Sequence, residues 1–214
     1  PYAVSSAPRA GLEKHLSVTV QKCGFFSGYL CDEAKVGDCF LIGDPSGDLF
    51  YESVRATPLV VACAGGSGIT PFYSMAQAIA DGTEDFSLVL FWGARTADDL
   101  AFKKELDALV GDKIKVIYVL SDEEKEGYEH GFITAELIKK YVPQEDFTLM
   151  MCGPAAMYRF VSAEAEKLGL PARRVCAKRQ TASERATCPQ RSTNSPCISD
   201  LRSILSKRMR VRPS

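Results

Sequence analysis

Residues 58–72 read PLVVACAGGSGITPF, and this stretch decides the fold. Its first seven residues are apolar without alternation, the pattern of a strand covered on both faces. Gly65, Gly66, Ser67 and Gly68 follow, then Ile69, Thr70 and Pro71, where a helix is expected to open. Glycines let a backbone approach a pyrophosphate closely, and unpaired N–H groups at a helix start attract the anion. Pro71 in the first helical turn forfeits no needed N–H. A dinucleotide fingerprint starting at Gly66 needs glycine where Pro71 stands. A hydrolase elbow starting at Gly65 needs glycine at Ile69, and no Lys follows for a P-loop. What remains is a phosphate-holding turn, with a plain strand-to-helix turn as the alternative.

Three similar apolar runs lie downstream: 86–92 (FSLVLFW), 114–120 (IKVIYVL) and 147–152 (FTLMMC). Helical spacing separates them. Phe72, Met75, Ala76 and Ile79 fall at i, i+3, i+4, i+7, and Phe102, Leu106, Leu109 and Val110 at i, i+4, i+7, i+8. A shorter helix is expected over 134–141, and Met157, Phe160 and Val161 open a last one. Strand then helix, repeated about every 30 residues, predicts an α/β fold with a parallel sheet over residues 54–175. Upstream, 16–21 (LSVTVQ) alternates and 38–42 (DCFLI) reads as a short strand. Residues 1–53 are therefore expected to form part of an antiparallel β-barrel, with too few strands to close it.

The 214 residues are 46% apolar and 25% charged, which excludes disordered, collagen-like and disulfide-stapled classes. No apolar run approaches the roughly 20 residues of a membrane-spanning helix. The net charge of −1 hides an asymmetry: residues 1–172 hold 15 Lys and Arg against 25 Asp and Glu, and residues 173–214 hold 11 against 2. Residues 176–214 also lack aromatics, and are expected to be a disordered basic tail or the product of a shifted reading frame. Arginines without stacking aromatics make a poor nucleic-acid site, so no nucleic-acid partner is expected. The chain opens Pro1-Tyr2-Ala3-Val4 inside a strand-like pattern, without Met or leader, and reads as cut. Eight scattered cysteines without a C-x-x-C pair suit reduced thiols and a cytoplasmic location. Cys176, Cys188 and Cys197 match neither plant-type cluster nor zinc spacing, and His15 and His130 stand alone, so no metal is expected.

Three further motifs carry chemistry. Cys152, Gly153, Pro154 and Met157 lie where the last long strand meets a helix, and ligands of open α/β sheets bind beyond the carboxyl ends of strands. A small buried Cys before a helix is the plain alternative. Gly24, Phe25, Phe26 and Ser27 precede a helix expected over 29–34, with Ser27 as its cap and its N–H groups open to a second phosphate. Tyr2, followed by Ala3, Val4, Ser5 and Ser6, places an aromatic beside small hydroxyls, a pattern able to stack on a flat ring and bond its polar edge. An ordinary strand and turn is the alternative there.

In this order the four motifs resemble the ferredoxin–NADP reductase-like flavoproteins, most of all NADH-dependent FAD-binding reductase components with an iron–sulfur partner. The family order is R-x-Y-[ST], G-x-x-S, G-[TG]-[SG]-G-[IL]-[AT]-P and C-G-P-x-x-M. The resemblance implies that Tyr2 stacks on the isoalloxazine, and that Ala3, Val4, Ser5 and the backbone of Thr19, Val20 and Gln21 line the flavin. Gly24, Phe25, Phe26 and Ser27 would hold the FAD pyrophosphate. The loop from Gly65 to Pro71 would hold that of the nicotinamide cofactor. Cys152, beside Gly153, Pro154 and Met157, would sit near the nicotinamide C4 and, with Tyr2, make up the catalytic pair. The implied reaction is hydride transfer from NADH to FAD, then electron transfer to an iron–sulfur or other acceptor. NADP users of the family place Ser-Arg where this chain has Ser121 and Asp122, followed by Glu123 and Glu124. Carboxylates repel a 2′-phosphate, so NADH is favoured over NADPH, with Arg95 weighing the other way. A solvated acidic loop is the alternative for these residues. Three departures stand out. The family Arg would precede Pro1, Ala3 replaces the Ser or Thr, and no C-terminal aromatic covers the flavin. A dinucleotide-binding module without flavin or turnover is therefore the competing expectation.

Overall fold

A computed structural model describes residues 2–13, 15–22, 24–40, 42, 46–143 and 146–177, and the backbone of 210–211. The four apolar runs are strands: β2 (Leu59–Gly65), β3 (Ser87–Ala94), β4 (Ile114–Leu120) and β6 (Thr148–Cys152). Two short strands complete the sheet, β5 (Glu129–His130) and β7 (Val175–Ala177). All six are parallel, in the order β5-β4-β3-β2-β6-β7. β2 is the centre, pairing Val60 with Leu88 on one side and with Thr148 on the other. Its residues 60–64 are fully buried, which explains the lack of alternation in the sequence.

The helices divide between the two faces. Val60, Ala62 and Ala64 point to the face covered by α3 (Thr70–Ala80), through Phe72, Met75 and Ala76, and by α4 (Lys103–Asp107), through Leu106. Val61 and Cys63 point to the face covered by α5 (Ala135–Tyr141) and α6 (Ala155–Lys167), through Ile138, Val161 and Ala165. This is the two-residue periodicity of a strand with both faces covered. α5 is capped twice: Thr134 Oγ1 accepts from the Leu137 N–H, and buried Glu164 Oε2 of α6 accepts from the Ala135 N–H at 2.8 Å. Two expectations are corrected here. α4 ends at Asp107, so Val110 is half exposed rather than core. α2 (Phe25–Asp32) starts at Phe25, because the extended Gly24 is its N-cap, and Ser27 instead sits one turn in, its Oγ accepting from the Gly24 N–H at 2.8 Å.

The described residues of 2–40 make a smaller lobe with a core separate from those of the sheet. Of the expected antiparallel barrel, the described residues show one antiparallel bridge, Val4 to Val18. β1 (Cys39–Phe40) pairs in parallel with β8 (Arg210–Val211). α2 supplies Leu30 to a small core with Val20 and Ala34, and α1 (Pro8–Leu12) packs against α3. The segment leading into β2 is pinned to the sheet: Tyr51 stacks on Phe86 at 4.0 Å, and the Thr57 N–H donates to Thr148 Oγ1 at 2.9 Å. The rest of the basic tail expected at 176–214 lies outside the described residues.

Candidate functional site

The chain leaves β2 for β3 on one side and returns at β6 on the other. The carboxyl ends of β2 and β6 therefore flank a switch in strand order, where a crevice must open. There the two loops are packed backbone against backbone. A Cβ added to Gly68 would strike the Cys152 carbonyl and come within 2.8 Å of the Gly153 nitrogen. A Cβ on Gly65 would lie 2.9 Å from Pro154 Cδ, and one on Gly153 2.6 Å from Met157 Sδ. Gly66 takes φ +53°, a left-handed conformation that other residues rarely hold. Residues 66–69 make a single 3₁₀ turn that runs into α3, with Thr70 Oγ1 donating to the Ser67 carbonyl at 3.1 Å. Gly65, Gly68 and Gly153 are thus fixed by close approach and Gly66 by its φ, and Thr70 at the start of α3 lines the crevice.

The crevice is a cleft of about 860 Å³. On the sheet side it is lined by Gly65, Gly66, Ser67, Ile69, Thr70, Arg95, Ser121, Pro154 and Met157. On the small-lobe side it is lined by Thr19, Val20 and Gln21, with Lys22 and Asp32 paired at 2.5 Å. Residues expected for flavin and for nicotinamide therefore share one cleft. Gly68, Pro71, Cys152 and Gly153 do not line it: Gly68 is packed against the Cys152 carbonyl and the Gly153 nitrogen, and Pro71 belongs to the first turn of α3. Cys152 is 6% exposed, its carbonyl packed against Gly68. Tyr2, Ala3, Val4, Gly24, Phe25, Phe26 and Ser27 stand outside the cleft. Tyr2 and Phe26, exposed and 6.4 Å apart, instead begin an aromatic row that continues into the half-buried Tyr29 and Phe40. Ser5 is buried and does not face the cleft; its hydroxyl donates to the Ser17 carbonyl and accepts from Thr19 Oγ1.

Arg95 and Ser121 line the cleft and hold Asp122, which does not line it: Arg95 Nε donates to Asp122 Oδ2 at 2.7 Å and Ser121 Oγ donates to Asp122 Oδ1 at 2.6 Å. These two bonds, the Ser121 hydroxyl first, hold the Asp122 carboxyl below the usual carboxylate range. Glu123 Oε2 accepts from the Ala97 N–H at 2.8 Å. The acidic loop is therefore latched to the turn after β3 rather than simply solvated. Cys63, at the head of the glycine loop, is fully buried, and burial pushes its thiol up to about 12. It is a packing residue. Among the described residues, no three His, Cys, Asp or Glu come together as a metal site.

Several lining residues were not anticipated: Trp92, Asp99, Phe102, Phe132 and Phe160. Trp92 sits near the carboxyl end of β3, so the strand-end rule was the signal that pointed to it. Its Nε1 is buried without a hydrogen-bond partner among the described residues. Phe132 and Phe160 form an exposed ring pair 5.6 Å apart at the rim, from segments distant in sequence, and nothing local in the sequence couples them.

A parallel sheet with a glycine loop at its switch point is the arrangement of a dinucleotide-binding α/β domain. Residues 63–163 match the family described as "Oxidoreductase NAD-binding domain". The chain is 33% identical over 177 residues to NADH-cytochrome b5 reductase 1 of Candida glabrata, covering 78% of this chain and 56% of that protein. It is 32% identical over 164 residues to nitrate reductase [NADH] 2 of Nicotiana tabacum, covering 68% of this chain and 18% of that one. Among solved structures, it resembles the flavohem-like FAD/NAD binding domain of nitric oxide dioxygenase from Vibrio cholerae, with a TM-score of 0.65 at 23% identity, covering 82% of this chain and 74% of that one. Residues 63–163 thus carry an oxidoreductase NAD-binding domain, and the chain is similar to NADH-dependent reductases, with a fold like that of the ferredoxin–NADP reductases. It spans little more than half, or much less, of the curated relatives it matches.

Proposed function

We propose that this chain is an NADH-dependent electron-transfer reductase: the cleft takes NADH, the small lobe takes FAD, and the electrons leave to a one-electron acceptor protein. Residues 54–175 are read as the nucleotide domain and residues 1–53 as part of the flavin domain. The observation that carries this reading is the shared cleft, in which the Thr19, Val20 and Gln21 wall faces the glycine cradle across the switch point. Gly65, Gly68 and Gly153 let the loops after β2 and β6 pack together, while open space lies where a Cβ on Gly66 would stand, which supports the approach of a pyrophosphate there.

Each residue has a task that follows from its position. The N–H groups of the turn at 66–69 and of the α3 start bind the NADH pyrophosphate, and Ser67 adds a hydroxyl. Ionised Asp122, oriented by Ser121 and Arg95, accepts from the hydroxyls of the adenosine ribose and repels a 2′-phosphate. Cys152, with Gly153 and Pro154, supports the nicotinamide end from below. Tyr2 and Phe26 offer ring faces to a flat cofactor, while the α2 start, held by the Gly24–Ser27 bond, offers the N–H groups of Phe25 and Phe26 to its phosphates. FAD, when bound, takes electrons as a pair and gives them up singly. The protein's contribution is distance and orientation. Relatives are named for cytochrome b5 and for nitrate as oxidants. The acceptor proposed here is a protein with an iron–sulfur or haem centre.

The test is titration of the purified chain with NADH and with FAD, then NADH oxidation with ferricyanide as a surrogate acceptor. Saturable binding of both and FAD-dependent oxidation are expected. NADH binding without FAD binding would instead support the dinucleotide-binding module, and absence of NADH binding refutes both readings.

A further inference from the structure

Two polar side chains on α3 have no part in the cleft, yet they join the two lobes. Ser74 Oγ donates to the Ser6 carbonyl at 2.6 Å, and Gln77 Nε2 donates to the Ser5 carbonyl at 2.8 Å and to the Tyr73 carbonyl at 3.3 Å. They are one helical turn apart, on the face opposite Phe72, Met75 and Ala76, which are packed into the sheet. Ser5 and Ser6 are themselves buried, at 3% and 7% exposure. Their carbonyls would be unpaired acceptors if α3 carried apolar residues there.

The bonds continue into the small lobe. The Ser5 N–H donates to the Ser17 carbonyl at 2.8 Å, the Ser17 N–H donates to Ser6 Oγ at 3.1 Å, and Thr19 Oγ1 donates to Ser5 Oγ at 3.0 Å. Val4 and Val18 bridge directly beside them. Thus α3 holds residues 5–6, residues 5–6 hold residues 17–19, and Thr19 is part of the cleft wall. The same segment carries Tyr2 three residues upstream. The other end of α3 is the nucleotide cradle. One rigid helix therefore touches the NADH site at its start and, at its third and sixth positions past Pro71, the segment that holds the flavin-side wall.

We infer that Ser74 and Gln77 are positioning residues that set the register between the two lobes, and so the gap across which hydride passes from NADH to FAD. This rests on the function proposed above. Two hydrogen bonds a turn apart fix both the height and the rotation of residues 5–6 on α3, which a single contact would not. Hydride transfer tolerates little slack: a displacement of about 1 Å costs on the order of a hundredfold in rate.

The test is the Ser74→Ala/Gln77→Leu double variant of the full chain, with Ser74→Thr as the variant that keeps the hydroxyl donor. Three measurements are compared: amide exchange at Ser5 and Ser17, NADH affinity from Trp92 emission, and the single-turnover rate of flavin reduction after loading with FAD. The double variant is expected to exchange about tenfold faster at Ser5 and Ser17. It should also bind NADH within about twofold of the parent and reduce flavin at least about tenfold more slowly. Ser74→Thr is expected to match the parent in all three. Unchanged exchange at Ser5 and Ser17 overturns the inference. So does faster exchange with an unchanged flavin-reduction rate. A parent chain that fails to bind NADH overturns the functional reading, and this inference with it.

Discussion

Gly68→Ala tests the packing on which the cleft depends. The added methyl would lie 2.8 Å from the Gly153 nitrogen, and closer still to the carbonyl group of Cys152. Carbon needs roughly 3.5 Å from such neighbours, so the loops after β2 and β6 must part by more than about 0.7 Å. All the obstructing atoms are backbone, so no side-chain rotation relieves the clash. Gly68 does not have a left-handed φ, which leaves packing as the sole cost. Overpacking of this kind costs about 1–3 kcal/mol. For a chain of this size that is a fall in Tm of about 2–12 °C. The cradle is distorted at the same time, and NADH affinity is expected to fall on the order of tenfold. Trp92 is the one tryptophan of the chain and lines the cleft, so quenching of its emission by NADH gives the binding curve directly. Gly111→Ala is the control, since nothing lies near its Cβ position. It should leave Tm unchanged or slightly raised. A Gly68→Ala chain with parental Tm and parental NADH affinity would refute the packing argument.

Other outcomes can be read with simple assays. Asp122→Ala releases Arg95 and removes the carboxylate that repels a 2′-phosphate, so the NADPH to NADH affinity ratio should rise by about tenfold or more in competitive titrations. Glu164 is held below its ordinary value of 4.5 by Lys167 and the Ala135 N–H. Its stabilisation is therefore complete above that value and is lost as pH falls through the lower value of the folded state. Glu164→Gln should lower Tm at pH 7, and thermal melts at falling pH should show the gap to the parent closing. Native-state alkylation followed by peptide mapping should modify exposed Cys39 well before Cys63, whose buried thiol stays protonated until the sheet opens.

The sheet was legible because β2, β3, β4 and β6 are buried on both faces and so read as unbroken apolar runs. The glycine loop was legible for a similar reason: Gly65, Gly66 and Gly68 each answer a backbone constraint, and Pro71 marks the helix start. β5 and β7 escaped notice because strands of two and three residues carry no periodicity. Val110 matched a helical spacing but fell beyond the end of α4, since spacing says nothing of where hydrogen bonding stops. Ser5 reads as a flavin contact from its place after Tyr2, yet its partners Ser17, Thr19 and Gln77 come from other segments and pull it inward. The pairing of Arg95 with Asp122 was equally out of reach, since each residue alone argues for a different cofactor.

The place of β2 in the sheet has a consequence during synthesis. β2 is made early but needs partners on both edges, and the second, β6, comes about eighty residues later. At roughly 5–20 residues per second, the growing chain carries an apolar strand with one open edge for several seconds or more. An edge of that kind invites pairing with other chains. The ribosome-bound intermediate, rather than the finished protein, is thus where a chaperone has most to gain, and a ribosome stalled between residues 66 and 147 should leave the most aggregation-prone species this sequence can make.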